Sequence, residues 1–447
     1  MNLKKETARI TDVLKGVVIT IVFLVGHLYF SPMLYVAAAL TLALYVIDYK
    51  NVVGLTVFFI PLARIMKFSP DSMTVLGIAV ILSLCVMLIY NKLRFGGAEL
   101  LIGAVLVLLL LVKNLIGAFG FPFSYIRIIL LLVLLPQCID YYKSGRDNFN
   151  LPATAVMAFA GVCTAALIAA IWADSPQLAR YIATEDIYYV GVTIFNRFCG
   201  LSSDPNYFSS LVLFAAALQL ICFINTKRSV YMLCAVLLSA IGALTLSKMF
   251  FLLIAFVWCV SIIMVLLDKR TIERKRSQKG KVLFISSLGL VAFAVYFVQS
   301  GNFDVVASRF GGTGASSITT GRSDIWMAYL SSFFSSIKTM LLGAATNAET
   351  VGFHVTHNTL IQILWKLGSI GAAAIFAWCI ALYVRVKNRT ASTRSKANKG
   401  TAILLFAYLL PMMALDKLFF DEFYWYYAVY LLCHIRPSDT TVLCEGK

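Results

Sequence analysis

Arg197, Lys248, Arg322 and His357 are the side chains of this sequence best suited to chemistry on an anionic substrate. Guanidinium groups bind phosphoryl oxygens through paired donors and stay charged at any physiological pH. Lys248, in Leu246-Ser247-Lys248, would add a point charge. His357 has an ordinary pKa of about 6.5, which suits removal of a proton from a hydroxyl group. His354 competes for that role but lies one turn farther from the apolar run that follows. Asp204, Asn206, Asp324 and Asn358 stand close by in sequence and are the auxiliary candidates. Each main candidate also has a purely structural reading. Lys248 would snorkel to a membrane interface. Arg197 and Arg322 would be solvated in loops or pair with Asp204 and Asp324. His357 would belong to a hydrogen-bonded cap, since Asn358 and Thr359 open a helix.

Other chemistries find no support. No carboxylate pair stands out as a glycosidase dyad, no Asp-x-Asp metal pair occurs, and the serines lack a nucleophile-elbow context. Neither a metal nor a cofactor is expected. A metal-independent transfer using arginines and a histidine is the chemistry these residues can support.

The elements that must hold them are largely hydrocarbon. Hydrophobic residues make up 60% of the chain and charged residues 13%, with a mean hydropathy of +0.86. Soluble domains carry about 25% charged residues, so composition alone indicates a polytopic membrane protein. The first apolar run, Val13 to Phe30, lacks a small-residue cleavage site and leads into another run, so no cleavable signal peptide is expected. Eight of the ten cysteines lie inside apolar runs, Cys444 is in the tail, and only Cys199 falls in an expected external loop. They read as membrane packing rather than a disulfide framework.

Apolar runs long enough for helices begin near Val13, Pro32, Asn51, Met73, Glu99, Pro122, Pro152, Tyr207, Ser229, Met249, Val282, Asn358, Thr401 and Phe423. The expectation is an all-α polytopic fold of about 12–14 transmembrane helices, best counted as about 14, in one integral membrane domain over residues 1–447. The run from Asn51 to Met66 and the last run are short.

The net charge of +17 does not point to nucleic acid. Most Lys and Arg residues collect in loops on one side of the expected topology, as in residues 268–281 and 385–399, which is the positive-inside pattern. The implied orientation has both termini cytoplasmic and two extracytoplasmic loops, 174–206 and 300–357. Arg127 is the main charge expected within a span.

The second loop is the chain's largest polar departure. It contains the Gly321-Arg322-Ser323-Asp324 turn and two of the four histidines. Within it, Trp326, Leu330, Phe333, Ile337 and Leu341 share one helical face, which predicts a single surface helix over 323–341, lying either on the outer membrane surface or over the transmembrane bundle. Gly311, Gly312 and Gly314 before it suggest a hinge or mobile lid.

Several pieces resemble the O-antigen ligase and polysaccharide polymerase family, specifically Wzy-type polymerases of capsular or O-antigen repeat units. They are Asn196-Arg197-Phe198-Cys199-Gly200-Leu201 with Asp204-Pro205-Asn206; Thr245-Leu246-Ser247-Lys248; Thr320-Gly321-Arg322-Ser323-Asp324-Ile325-Trp326; Leu342-Gly343; and His357-Asn358-Thr359-Leu360 with Gly368-Ser369-Ile370-Gly371. The resemblance covers residues 190–430, and the first 190 match only in hydropathy. It implies a glycosyltransferase-C-like membrane fold with a large external loop over the active site. It also implies an undecaprenyl-diphosphate-linked glycan as donor, transferred on the outer face of the bacterial cytoplasmic (inner) membrane. Arg197 and Arg322 would hold the pyrophosphate, and His357 would act as base or position the acceptor hydroxyl. Many ligases of the family carry arginine where Lys248 stands.

Three functions are therefore weighed. A polymerase would join lipid-linked repeat units, with a flippase and a chain-length regulator as partners alongside membrane lipid. An O-antigen ligase would pass finished glycan to lipid A core or another acceptor. A lipid-linked sugar flippase or transporter would be expected to show repeat symmetry and charged residues lining a cavity.

Overall fold

The structure is a computed structural model that describes residues 3–69, 72–90, 97–117, 132, 135–142, 149–178, 181, 187–190, 193–202, 204–267, 280, 284, 288–289, 291, 295, 298–299, 301, 322–344, 351, 355–392, 400–415 and 424–434. The helices are α1 (Leu3–Leu28), α2 (Met33–Ile47), α3 (Val52–Phe59), α4 (Val75–Tyr90), α5 (Gly97–Gly117), α6 (Leu151–Ile171), α7 (Pro205–Thr226), α8 (Ser229–Ala243), α9 (Lys248–Leu267), α10 (Arg322–Phe334), α11 (Ile337–Leu342), α12 (Thr359–Ser392), α13 (Thr401–Leu409) and α14 (Tyr424–Leu432). A short antiparallel hairpin, β1 (Ile187–Val190) paired with β2 (Thr193–Asn196), is the departure from an all-α fold among the described residues.

Apart from α1, which begins at Leu3 rather than near Val13, the described helix starts fall within a few residues of the apolar runs, and several are marked by a capping residue or proline. Asn150 caps α6, its side chain accepting from Ala153 N at 3.2 Å. Asp204 caps α7 through Asn206 N at 2.6 Å. Both helices carry proline in the first turn, where its missing N–H costs nothing.

Among the described residues, five helices are long and apolar enough to cross a membrane by length and composition: Ile10–Leu28, Leu151–Ile171, Pro205–Thr226, Lys248–Leu267 and Thr359–Lys387. Four shorter apolar helices accompany them: Val75–Tyr90, Leu100–Lys113, Ser229–Ala243 and Thr401–Met413. These are the helices of a membrane protein. The expected span near Pro122 and most of the one near Val282 lie outside the described residues, as does Arg127.

The run from Asn51 to Met66 departs from expectation. It forms α3, only 8 residues long, and a 3-10 turn, Ile60–Leu62, with Pro61 at its start. The path from α2 into Tyr49–Leu62 bends by 90°, so this is a broken span or a re-entrant piece. Every residue of α3 is buried. Gly161 of α6 permits the close approach, since a Cβ there would sit 2.2 Å from Phe58 O.

The core centres on α7, of which 94% of the most apolar window is buried. A helix apolar on all sides has no solvent face to offer and must be enclosed. It packs against α6, α8, α9 and α13, and Phe214 stacks on Tyr426 with ring centroids 3.9 Å apart. Polar pairs gather at segment ends. Lys15 Nζ lies 3.1 Å from Asp12 Oδ1 and 3.7 Å from Asp48 Oδ2, and Arg385 pairs with Asp140.

Candidate functional site

Two groups of polar residues form at helix ends. The first surrounds Arg197, which is 3% exposed. The hairpin delivers it directly, since β2 ends at Asn196. Its Nε donates to Thr245 O at 2.9 Å and its Nη2 to Asn206 Oδ1 at 3.2 Å. Ser247 Oγ donates to the same Asn206 oxygen at 2.7 Å. Ser247 also accepts from Phe250 N at 3.3 Å, capping the first turn of α9.

One arginine thereby clasps the turn after α8 to the start of α7, and the two helices that open there, α7 and α9, meet through Asn206 and Ser247. The arrangement sets two helix N-termini beside Arg197 and Lys248. Helix N-termini carry partial positive charge, and cations usually favour the opposite end. Their concentration here makes an anion-attracting field. Lys248 is the first residue of α9 and is half-buried. Asp204 serves as the cap of α7 and Asn206 as the hub between Arg197 and Ser247. Both are structural parts of the site.

Cys199, the cysteine expected outside, is buried, and its Sγ donates to Arg197 O at 3.5 Å. The loop turns at Gly200, where φ is 56° and a Cβ would meet the Phe208 ring at 2.5 Å.

The second group surrounds His357. The expected single surface helix over 323–341 is instead two helices. Ser336 takes an extended backbone (φ −147°, ψ 146°) and caps α11, its Oγ accepting from Thr339 N at 3.1 Å. The break resets the helical face. Tyr329 and Phe333 become the buried pair, packed with Trp365 of α12, while Ile337 is 73% exposed. Tyr329 OH accepts from Val351 N at 3.0 Å, and its ring meets Trp365 edge-on at 5.5 Å.

Trp326 pins α10 to the turn before His357: its Nε1 donates to Thr356 O at 2.9 Å. Arg322 stands one helical turn before Trp326, on the same face of α10. His357 has φ 47°, the left-handed region that histidine enters more readily than most residues. Asn358 is 2% exposed, and its Oδ1 accepts from Leu360 N at 3.0 Å and Ile361 N at 3.2 Å. Asn358 is therefore the cap of α12, and His357 is the half-buried residue immediately outside it. Asp324 is exposed in the first turn of α10. His354, Gly311, Gly312 and Gly314 lie outside the described residues.

Two glycines clasp this second group. Gly343 (φ 78°, ψ 176°) and Gly368 (φ 68°, ψ 179°) face each other where α11 meets a kink in α12. A Cβ on Gly368 would lie 2.5 Å from Gly343 N, and one on Gly343 would lie 2.6 Å from Gly368 N. Ala344 N donates to Trp365 O at 2.7 Å, and Ser369 Oγ to Met340 O at 2.9 Å. The two groups share a frame, because α12 touches the Leu410–Met413 turn after α13, and α13 packs on α7.

Sequence reasoning missed Arg64. It follows the Ile60–Leu62 turn, and its guanidinium is within Coulombic reach of Cys199. Its Nη1 is buried without a hydrogen-bond partner. The available signal was an arginine near the end of an apolar run.

Among the described residues, no three His, Cys, Asp or Glu side chains gather as a metal site. No protein-family model matches the chain, and no curated protein matches it.

Proposed function

We propose that this chain is a Wzy-type polysaccharide polymerase. It would move a growing glycan from undecaprenyl diphosphate onto the sugar end of another lipid-linked repeat unit. The reaction would take place on the outer face of a bacterial cytoplasmic membrane. In this reading about 14 spans place both termini in the cytoplasm, and residues 174–206 and 300–357 face outward. The membrane domain is glycosyltransferase-C-like.

The observation that carries the reading is the Trp326–Thr356 hydrogen bond, which ties the helix of Arg322 to the turn of His357. A base and a cation held by one clasp suit a transfer in which a proton leaves one end and negative charge grows at the other. His357 takes the proton of the acceptor hydroxyl, whose oxygen forms a bond to the anomeric carbon of the donor. The bond from that carbon to the diphosphate oxygen breaks, and the electron pair stays on undecaprenyl diphosphate. Arg322, Arg197 and Lys248 hold the charge that develops there. The transfer needs no redox partner, and these cations supply the positive charge.

A deletion strain complemented with variants tests the reading. Wild type restores a ladder of repeat-unit lengths, and Arg322→Ala leaves single repeat units. Long lipid-linked polymer that accumulates unattached in the deletion strain would identify a ligase instead. Wild-type chain lengths from Arg322→Ala would remove Arg322 from the site.

A further inference from the structure

Arg64 belongs to the first 190 residues, which the family resemblance matches only in hydropathy, and its surroundings are unusual for an arginine. Ile65 and Met66 beside it are 0% and 1% exposed. The turn that carries it is fixed from several directions. Ile65 N donates to Leu62 O at 3.1 Å, Val75 N to Met66 O at 2.8 Å, and Ile65 O makes a 2.7 Å hydrogen bond with His27 Nε2. Tyr181 stacks near His27 at 4.3 Å and its OH donates to Phe68 O at 3.3 Å. Arg64 is thus presented by a rigid frame, not by a loose chain end.

Its Nη1 nevertheless has no hydrogen-bond partner although the atom is buried. A buried donor left unmade is costly, and more so on a charged group. Arg64 also lies within Coulombic reach of the Cys199 thiol, whose sulfur donates to the carbonyl of Arg197. Arg64 is half-buried and lies near the loop that carries Arg197, where Lys248 and the N-termini of α7 and α9 add positive charge and the Asp204 cap offsets part of it. Adding an uncompensated cation to such a place makes sense when an anion completes it.

We infer that Arg64 is a further substrate-binding residue, contributing to a phosphoryl-anion site shared with Arg197. The ligand chemistry is a diphosphate ester, free or carried on a polyprenyl chain. The inference rests on reading Arg197 as an anion-binding residue, and it assigns a role to the bent α3 segment. That piece turns back into the fold to place a guanidinium.

The test is binding by the full-length chain in lipid nanodiscs, titrated with farnesyl diphosphate, inorganic pyrophosphate and farnesol. Arg64→Met should weaken farnesyl diphosphate about tenfold to a hundredfold, the range set by one charge-assisted bond. Farnesol binding should not change, and Arg64→Lys should recover part of the loss. The ligand-free Arg64→Met protein should melt at or above the wild-type temperature, because the substitution removes a buried unpaired donor. A parallel loss for inorganic pyrophosphate supports recognition of the anion itself. Loss with farnesyl diphosphate alone supports a lipid headgroup.

Unchanged binding by Arg64→Met, with loss by Arg197→Ala, overturns the role of Arg64 and leaves Arg197 standing. A lowered melting temperature with equal loss in Arg64→Met and Arg64→Lys marks a structural residue and also overturns it. Failure of the wild-type chain to bind either diphosphate removes both. Loss of diphosphate binding in Arg64→Met together with an absent repeat-unit ladder in wild type would keep the anion site and reject polymerisation.

Discussion

Gly368→Ala offers the sharpest probe of how the His357 group is held. Gly368 has φ 68° and ψ 179°, a backbone region that belongs essentially to glycine, and forcing another residue there costs about 1–3 kcal/mol. The added Cβ would also lie 2.3 Å from Leu341 O and 2.5 Å from Gly343 N. Those are backbone atoms that cannot rotate away, so α11 must shift, at about 1–3 kcal/mol for overpacking. Separation would strain the Ala344–Trp365 and Ser369–Met340 hydrogen bonds. The expected total is about 2–6 kcal/mol, against a whole-protein stability of about 5–15 kcal/mol. Residues 322–344 should release first, because α10 and α11 reach the core through a small cluster of their own around Tyr329, Phe333 and Trp365. Hydrogen exchange in nanodiscs should show faster exchange in 322–344, with little change in 205–226. Gly103→Ala is the control. Nothing lies within 4 Å of its Cβ position in α5, so it should gain up to about 1 kcal/mol of helix propensity. Unaltered exchange at 322–344 in Gly368→Ala, with stability within about 0.5 kcal/mol of wild type, would refute the clasp.

Three further outcomes follow from the site. His357→Asn should keep wild-type thermal stability, because asparagine also tolerates a positive φ, but should lose the repeat-unit ladder; His357→Val should cost about 1–2 kcal/mol more in thermal unfolding. A functional His357→Asn protein would make the residue a turn former only. Asn206→Ala should cost about 1–3 kcal/mol in detergent unfolding, since Arg197 Nη2 and Ser247 Oγ both lose their acceptor. Asn206→Asp should hold stability while drawing charge from Arg197, so pyrophosphate binding should weaken. Trp326→Phe removes the bond to Thr356 O and should cost about 0.5–1.5 kcal/mol, read as faster amide exchange at 355–358 with the helices unchanged.

Much of the frame was legible in the sequence because membrane helices declare themselves by composition and stop at strong signals. Pro205 after Asp204 and Pro152 after Asn150 mark two starts unambiguously. The motif pieces Leu342-Gly343 and Gly368-Ser369 proved to be one object, two glycines in backbone conformations that only glycine adopts readily, which explains why both are present. Other features resist a linear reading. The 51–66 run has the hydropathy of a span, yet it follows a 90° bend after α2 and packs closely against Gly161 of α6. The split at Ser335 and Ser336 shifted the buried face of α10, because a serine cap competes with helix continuation. The hairpin at 187–196 has no strong turn pair to announce it. Arg64 looks like an ordinary charge at a span end, and only packing reveals its unmatched donor. For Arg197, the structure adds a bridging role that its sequence position does not disclose.

Reconstitution tests the central claim most directly. Purified chain in liposomes, supplied with undecaprenyl-diphosphate-linked repeat units and no other protein, should yield a ladder of longer lipid-linked products and release undecaprenyl diphosphate. The His357→Asn protein, folded and equally abundant, should yield neither. Starting material left unchanged by the wild-type chain, or an equal ladder from His357→Asn, would contradict the account.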